Sequence, residues 1–319
     1  MAKTICGVDV SSLSLEARVG PDGPSASFSN TADGIAELAA FCQQQGVELV
    51  AVEATGGYER QPFALLWARG LPVAVLNPRA VRRFAEGMGL LEKTDGIDAG
   101  VIAWFAAVKR IVPCVPASAE QQRLKALVTR LRQLTELQTA QRNQRLLVTE
   151  PAVLAGFEQL LVVVARQIRT LEAAIAKLIA ADPLWQQLDQ AFRSIKGVAD
   201  RTVARLMAEM PEIGTLSNKA VSKLAGLAPL ARDSGKHQGK RSVRGGRREV
   251  RAILFVVAGV VRRYDLDFAA FHQRLSAGGK PKKVIRIALA HKLLVRLNAK
   301  AREVRQRSAS LEACTVAVG

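Results

Sequence analysis

At 319 residues, 49% of them hydrophobic and only 5% aromatic, the chain is long enough for two or three folded units with aliphatic cores. Its net charge of +18 and isoelectric point near 10.4 point to a polyanionic partner, since each Lys or Arg that neutralises a phosphate releases condensed counterions. No apolar run approaches the length of a bilayer span, no secretion signal is visible, and Cys6, Cys42, Cys114 and Cys314 are scattered singly. A membrane partner, a zinc site and a disulfide framework are thereby disfavoured, and a cytoplasmic, nucleoid-associated protein is expected. The charge is uneven. Residues 1–115 hold 10 Lys and Arg against 12 Asp and Glu, whereas residues 232–307 hold 21 against 5.

In chain order, residues 4–10, 15–19 and 25–30 read as strands, with Pro21-Asp22-Gly23-Pro24 supplying turn chemistry. Thr31 is placed to cap a helix through about residue 45, its apolar face carrying Ile35, Leu38, Ala39 and Cys42. Residues 47–53 form a fourth strand, Gly56-Gly57 breaks the chain before a helix at 58–69, and 73–76 is a short fifth strand. Pro78 suits the start of the next helix, and another covers 95–109. The order β-β-β-α-β-α-β-α predicts an α/β domain of RNase H-like type over 1–112.

Pro113 and Pro116 then mark a boundary. Leu124, Leu127, Leu131, Leu134 and Leu137, then Ile168, Leu171, Ile175 and Leu178, recur at steps of three and four on either side of Pro151. The pattern fits an antiparallel helical coiled-coil arm over 117–181, or two ordinary core helices. A mostly helical C-terminal domain is expected over 182–312. It opens with a turn at Ser194-Ile195-Lys196-Gly197-Val198-Ala199, similar to a helix-hairpin-helix turn but with Ala199 where that motif prefers glycine. Helices at 250–263 and 282–305 follow, then a frayed tail.

Four acids stand out by placement. Asp9 interrupts an apolar first strand, which is costly unless the charge is paired or binds a cation. Glu53 ends the fourth strand, the parallel neighbour of the first in an RNase H-like sheet, so Asp9 and Glu53 are expected side by side. Asp95 and Asp98 lie three apart at a helix start and share one face. Singly they read as a helix cap, a helix-terminal acid and a turn residue; converging, they repel unless divalent cations neutralise them. Oxygen-only ligands favour Mg²⁺ or Mn²⁺, and two such ions ~4 Å apart suit in-line phosphoryl displacement. Glu59, past the strand end on the following helix, is set aside.

The second chemical candidate is Ser234, in a loop rich in glycine and base: Lys236, Lys240, Arg241, Arg244, Arg247 and Arg248 surround it, and Gly239, Gly245 and Gly246 allow close backbone approach to a DNA strand. A serine before glycine is usually only a turn, a hydroxyl needs activation to attack, and Ser242 competes in the same loop. His237 has no assigned role.

Gly7-Val8-Asp9, Glu53-Ala54-Thr55-Gly56, Lys93-Thr94-Asp95-Gly96-Ile97-Asp98-Ala99, Gly226-Leu227-Ala228-Pro229, Asp233-Ser234-Gly235 and Gly278-Gly279-Lys280 occur in that order. Together they resemble the DEDD transposases of the "IS one-ten" insertion sequences, also called bridge recombinases, over nearly the whole chain. The resemblance implies a RuvC-like domain whose Asp9, Glu53, Asp95 and Asp98 bind metal, and a transposase domain whose Ser234 forms a covalent serine–DNA intermediate. It also implies a non-coding guide RNA pairing with target and donor DNA, and a homo-oligomer, dimer or tetramer, sharing active sites. Two rival readings remain: a structure-selective nuclease of the junction-resolvase type that uses the carboxylates with water, and a non-catalytic nucleic-acid scaffold.

Overall fold

The computed structural model describes residues 3–90, 95–231, 233–235, 237–239 and 241–316, with backbone alone for 95–97, 237–238 and 311–316. The chain forms two compact units, Met1–Ala117 and Ser118–Gly319.

The first unit is a five-stranded sheet in the order β3-β2-β1-β4-β5, made by β1 (Ile5–Val10), β2 (Ser14–Val19), β3 (Ser25–Ser29), β4 (Leu49–Glu53) and β5 (Val73–Leu76). β1, β2 and β3 pair antiparallel, while β1 with β4 and β4 with β5 pair parallel, the order and sense expected of an RNase H-like sheet. Between them run α1 (Ala32–Gln44), α2 (Arg60–Ala68), α3 (Pro78–Gly87) and α4 (Asp95–Val108). The Thr31 hydroxyl caps α1 by accepting from the Gly34 amide at 3.3 Å, and Pro78 opens α3. The central strands are apolar on both faces because both faces are covered. Cys6, Val8 and Val10 pack with Ile35, Leu38 and Leu66 on one side, and Ile5, Leu49, Ala51 and Ala74 pack with Ile102, Ala103 and Ala106 of α4 on the other.

Gly7 sets how closely α4 lies on the sheet. A Cβ there would stand 2.0 Å from the Ala99 carbonyl oxygen and 2.6 Å from the Ala103 amide nitrogen. Gly7→Ala is therefore expected to cost about 1–3 kcal/mol through forced backbone shifts. A fall in the denaturant midpoint of the first unit checks this; an unchanged midpoint would contradict it. After α4 the chain turns back so that the Cys114 amide donates to the carbonyl of Val73, the first residue of β5, at 2.8 Å. The helix thus runs toward the strand starts, and its first turn lies at their carboxyl ends.

The second unit is helical: α5 (Ala119–Arg145), α6 (Pro151–Ala181), α7 (Pro183–Arg193), α8 (Asp200–Glu209), α9 (Asn218–Leu224), α10 (Arg248–Val261), α11 (Leu266–Ala277) and α12 (Lys282–Val316), with a two-residue hairpin of β6 (Asp233–Ser234) and β7 (His237–Gln238) between α9 and α10. Leu124, Val128, Leu131 and Leu134 of α5 and Val164, Ile168, Ile175 and Ile179 of α6 share one core with α7, α8, α10 and α12. Toward the α5–α6 connection the apolar residues emerge, with Leu146, Leu147, Val153 and Val162 exposed. Over an 18-residue stretch α6 has a mean hydropathy of 1.3, enough by length and composition alone to cross a bilayer, contrary to the absence of such a segment expected from sequence. A search for uninterrupted apolar runs misses it because Glu158, Arg166 and Arg169 break the run, and its buried side belongs to the core just described. α12 continues to Val316, well past the expected end at 305. The fully buried Asn298 on α12 receives the Gly214 amide at 2.8 Å and donates to the Leu216 carbonyl and Asn218 at 3.0 Å each, tying the turn before α9 to the core.

Candidate active site

The parallel register of β1 and β4 runs Ile5↔Leu49, Cys6↔Val50, Gly7↔Ala51 and Val8↔Val52. One residue further, Asp9 comes level with Glu53, on strands ~4.8 Å apart. Side chains alternate along a strand, so Asp9, two on from Gly7, faces the α4 side, and Glu53 beside it does the same. Both are half-buried, as is Asp98, the neighbour of the Ala99 that lies against Gly7. Asp95 heads α4, with its side chain outside the described residues. Among the described residues, no three Asp, Glu, His or Cys side chains gather closely enough to enclose an ion. The sheet contributes one more carboxylate that sequence reading passed over. Glu16 pairs with Asp9 across β1 and β2, and its Oε1 accepts from the Ser27 hydroxyl at 2.6 Å. Strand alternation in β2 is the signal that puts it on Asp9's face. Glu59 is occupied elsewhere. Its Oε2 accepts from the Thr55 amide at 3.0 Å and the Gly57 amide at 2.9 Å, holding the turn after β4.

Ser234 is exposed, on a hairpin whose register pairs Asp233 with Gln238 and Ser234 with His237, and Gly235 turns at φ +53°. Asp233 Oδ1 accepts from the Gly239 amide at 3.1 Å and from Arg241 Nη1 at 2.5 Å. Below the hairpin, Leu230 and Ser242 exchange both backbone hydrogen bonds, so Ser242 belongs to the base of the loop. The base is seated by two glycines: a Cβ on Gly246 would stand 2.3 Å from the Gly226 nitrogen. Arg251 Nη1 donates to the Gly245 carbonyl at 2.6 Å. Arg247 donates through two nitrogens to the Glu212 carboxylate at 2.6 and 2.5 Å, and to the Glu209 carbonyl at 2.7 Å.

Residues 6–148 match a family described as Transposase, of DEDD and IS110 type, and residues 189–273 match the Transposase IS116/IS110/IS902 family. The chain belongs to this transposase family. It is accordingly a DNA recombinase. Pilin gene-inverting proteins of Moraxella lacunata and Moraxella bovis are each 27% identical to it over 312 residues, covering 92% of this chain and 94% of theirs. An IS110 uncharacterized 43.6 kDa protein of Streptomyces coelicolor is 32% identical over 122 residues, 38% of this chain and 29% of that one. Among solved structures, a Thermus thermophilus RuvC aligns with 35% of this chain and 99% of its own, at 17% identity and a TM-score of 0.27.

The basic residues expected to grip nucleic acid divide into groups. In this transposase Arg244 and Arg248 are exposed beside the serine loop, while Arg241 and Arg247 are engaged with Asp233 and Glu212. Lys236 and Lys240 lie outside the described residues. The turn at 194–199 is a packing unit: Gly197, at φ +98°, sits so that a Cβ would stand 3.1 Å from the Val261 backbone.

The Arg247–Glu212 bond gives the loop base a pH response. Burial alone would raise the Glu212 carboxyl, but the bonds from Arg247, a backbone hydrogen bond and the charges of Arg247 and Lys125 together outweigh it and hold the group below its usual value. A carboxyl lowered on folding adds stability above its unfolded pKa, and that stability is lost as pH falls through the folded value. Glu212→Gln is therefore expected to flatten the acid-side decline in Tm below about pH 4.5, with little change in slope near neutrality. An unchanged acid limb in a pH series of melting curves would refute it.

Proposed function

We propose that this recombinase cuts and rejoins DNA as the enzyme of an insertion sequence, with a carboxylate metal site and a serine nucleophile, guided by a structured non-coding RNA. The observation that carries the reading is the level pair Asp9 and Glu53 on adjacent parallel strands, beneath a helix that begins with Asp95 and Asp98, in a chain of this transposase family. The donor set fits a hard divalent cation: all oxygen, anionic, and served by a helix that Gly7 lets approach to backbone contact. Mg²⁺ or Mn²⁺ held by Asp9, Glu53, Asp95 and Asp98 would supply electrostatic stabilisation of charge developing on the phosphate oxygens. Asp9 and Glu53 hold their positions through the sheet, and Asp95 and Asp98 through the first turn of α4.

In this reading the Ser234 hydroxyl attacks the scissile phosphorus. The serine Oγ–P bond forms, the P–O bond to the leaving deoxyribose breaks, and the hydroxyl proton goes to a base while the leaving oxygen gains a proton. Attack of a free DNA hydroxyl on the serine ester later reverses the exchange and rejoins the strands. Exposed Arg244 and Arg248, with Lys236 and Lys240, hold phosphates in the loop's vicinity. Target and donor DNA are read by the RNA, and the excess of base in the second unit grips the backbones of both nucleic acids. The exposed apolar residues near the α5–α6 connection support self-association into a dimer or tetramer, and action on DNA supports a cytoplasmic, nucleoid-associated setting. Purification from the native host followed by sequencing of bound RNA tests the guide. One structured RNA encoded beside the gene, whose removal by ribonuclease stops strand exchange, is expected. Exchange that survives ribonuclease would defeat the RNA-guided reading.

A further inference from the structure

We propose that Asp233 and Arg241 form a positioning pair for Ser234, and that Arg241 serves the reaction through this hairpin rather than by gripping a DNA phosphate. The inference rests on the reading of Ser234 as nucleophile. A hairpin of two residues per strand is marginal by itself, and Ser234 is exposed, so core packing does not hold it. Side chains supply what the short ladder lacks. The Asp233 carboxylate, one residue before the serine, reaches across to the Gly239 amide at 3.1 Å and to Arg241 at 2.5 Å. Arg241 in turn donates to the Gly239 carbonyl at 3.2 Å. Gly239 is thus held at both its amide and its carbonyl by the two members of one ion pair.

The Leu230–Ser242 bridge closes the base of the same segment. The loop therefore has one tie at its root and another beside the nucleophile. Arg241 holds the Asp233 carboxyl below its ordinary value, so the pair stays charged through the neutral range. Arg244 and Arg248 are exposed beside the loop, whereas the charge of Arg241 is offset by its neighbour. An ion pair this exposed contributes little to global stability. Its effect falls on where the hydroxyl points, and a misplacement of about 1 Å can cost on the order of 10²-fold in rate.

The test uses full-length Asp233→Ala, Arg241→Ala and Ser234→Ala proteins. Three readouts serve: serine–DNA adduct formation on the element's own end DNA with the co-purified RNA, hydrogen exchange at the Gly239 amide, and the salt dependence of binding to a random-sequence duplex. Asp233→Ala and Arg241→Ala are each expected to slow adduct formation by about 10²-fold and to speed Gly239 exchange. Arg241→Ala should leave the salt slope of duplex binding unchanged. Asp233→Ala, which releases a cation, should steepen it by about one ion. The proposal is overturned if Asp233→Ala forms adduct at the wild-type rate, or if Arg241→Ala flattens the salt slope by about one ion. Ser234→Ala separates the two levels: adduct persisting in that variant defeats the nucleophile assignment itself, whereas its loss alongside a normal Asp233→Ala rate defeats the positioning pair alone.

Discussion

Asp9→Asn is expected to slow DNA strand cleavage about a thousandfold or more while leaving duplex binding within about twofold. The substitution keeps the size of the side chain and removes its charge at a point where β1 and β4 bring two carboxylates level. In the proposed reading anionic oxygens would hold a divalent cation there, and a neutral amide in place of one of them would weaken both its binding and the stabilisation of developing phosphate charge. A thousandfold is about 4 kcal/mol of transition-state stabilisation, within reach of one metal ligand. Binding should persist because the basic excess lies in the second unit, away in sequence from Asp9. The measurements are single-turnover cleavage and a mobility-shift titration, with Mn²⁺ substituted for Mg²⁺ as a check on the metal. Full strand exchange by Asp9→Asn would remove the carboxylates from the chemistry and revive the scaffold reading.

Ser234→Ala carries the second large effect. It is expected to abolish the covalent protein–DNA adduct and to reduce strand exchange by at least about a thousandfold, since in the proposed reading the bond to DNA is the one its Oγ makes. Ser242, the nearest competitor, spends its backbone on the Leu230 bridge at the loop base, so Ser242→Ala should retain adduct. Denaturing gels after reaction with end-labelled DNA read the adduct directly. A junction-resolvase mechanism, with water as nucleophile, predicts the opposite result: Ser234→Ala would still cut and no adduct would form in any variant. The two experiments thus address the carboxylates and the hydroxyl separately.

Much of the first unit was legible in sequence because it is written in two periods. Near-continuous apolar runs mark β1 and β4 as doubly covered strands, and an acid inside such a strand stands out at once, as Asp9 does. The level pairing with Glu53 followed from strand order alone. Glu16 did not, because in Ser14-Leu15-Glu16-Ala17 an exposed-looking acid on an outer strand resembles ordinary surface until the β1–β2 register sets it opposite Asp9. The second unit was less readable. α11 went unrecognised although Asp265 caps it and Phe268 is buried, since it is short and lies between the longer apolar α10 and basic α12. β6 and β7 are too short for periodicity to register. The bonds that seat the serine loop join partners far apart in the chain, Arg247 to Glu212 and Gly246 to Gly226, and composition marked Arg247 only as one more base available to phosphate.

The seat of α4 over Gly7 bears on how the spacing of Asp98 from Asp9 and Glu53 tolerates change. The helix rests on main chain, with the Ala99 carbonyl and the Ala103 amide directly above a residue that has no side chain. The gap between the helix acids and the strand acids is therefore gauged by peptide thickness. Volume-conserving replacements such as Ile102→Leu retune the strength of the layer beneath without resetting that gap, so the core can drift within its volume while the spacing between helix and strand acids stays the same.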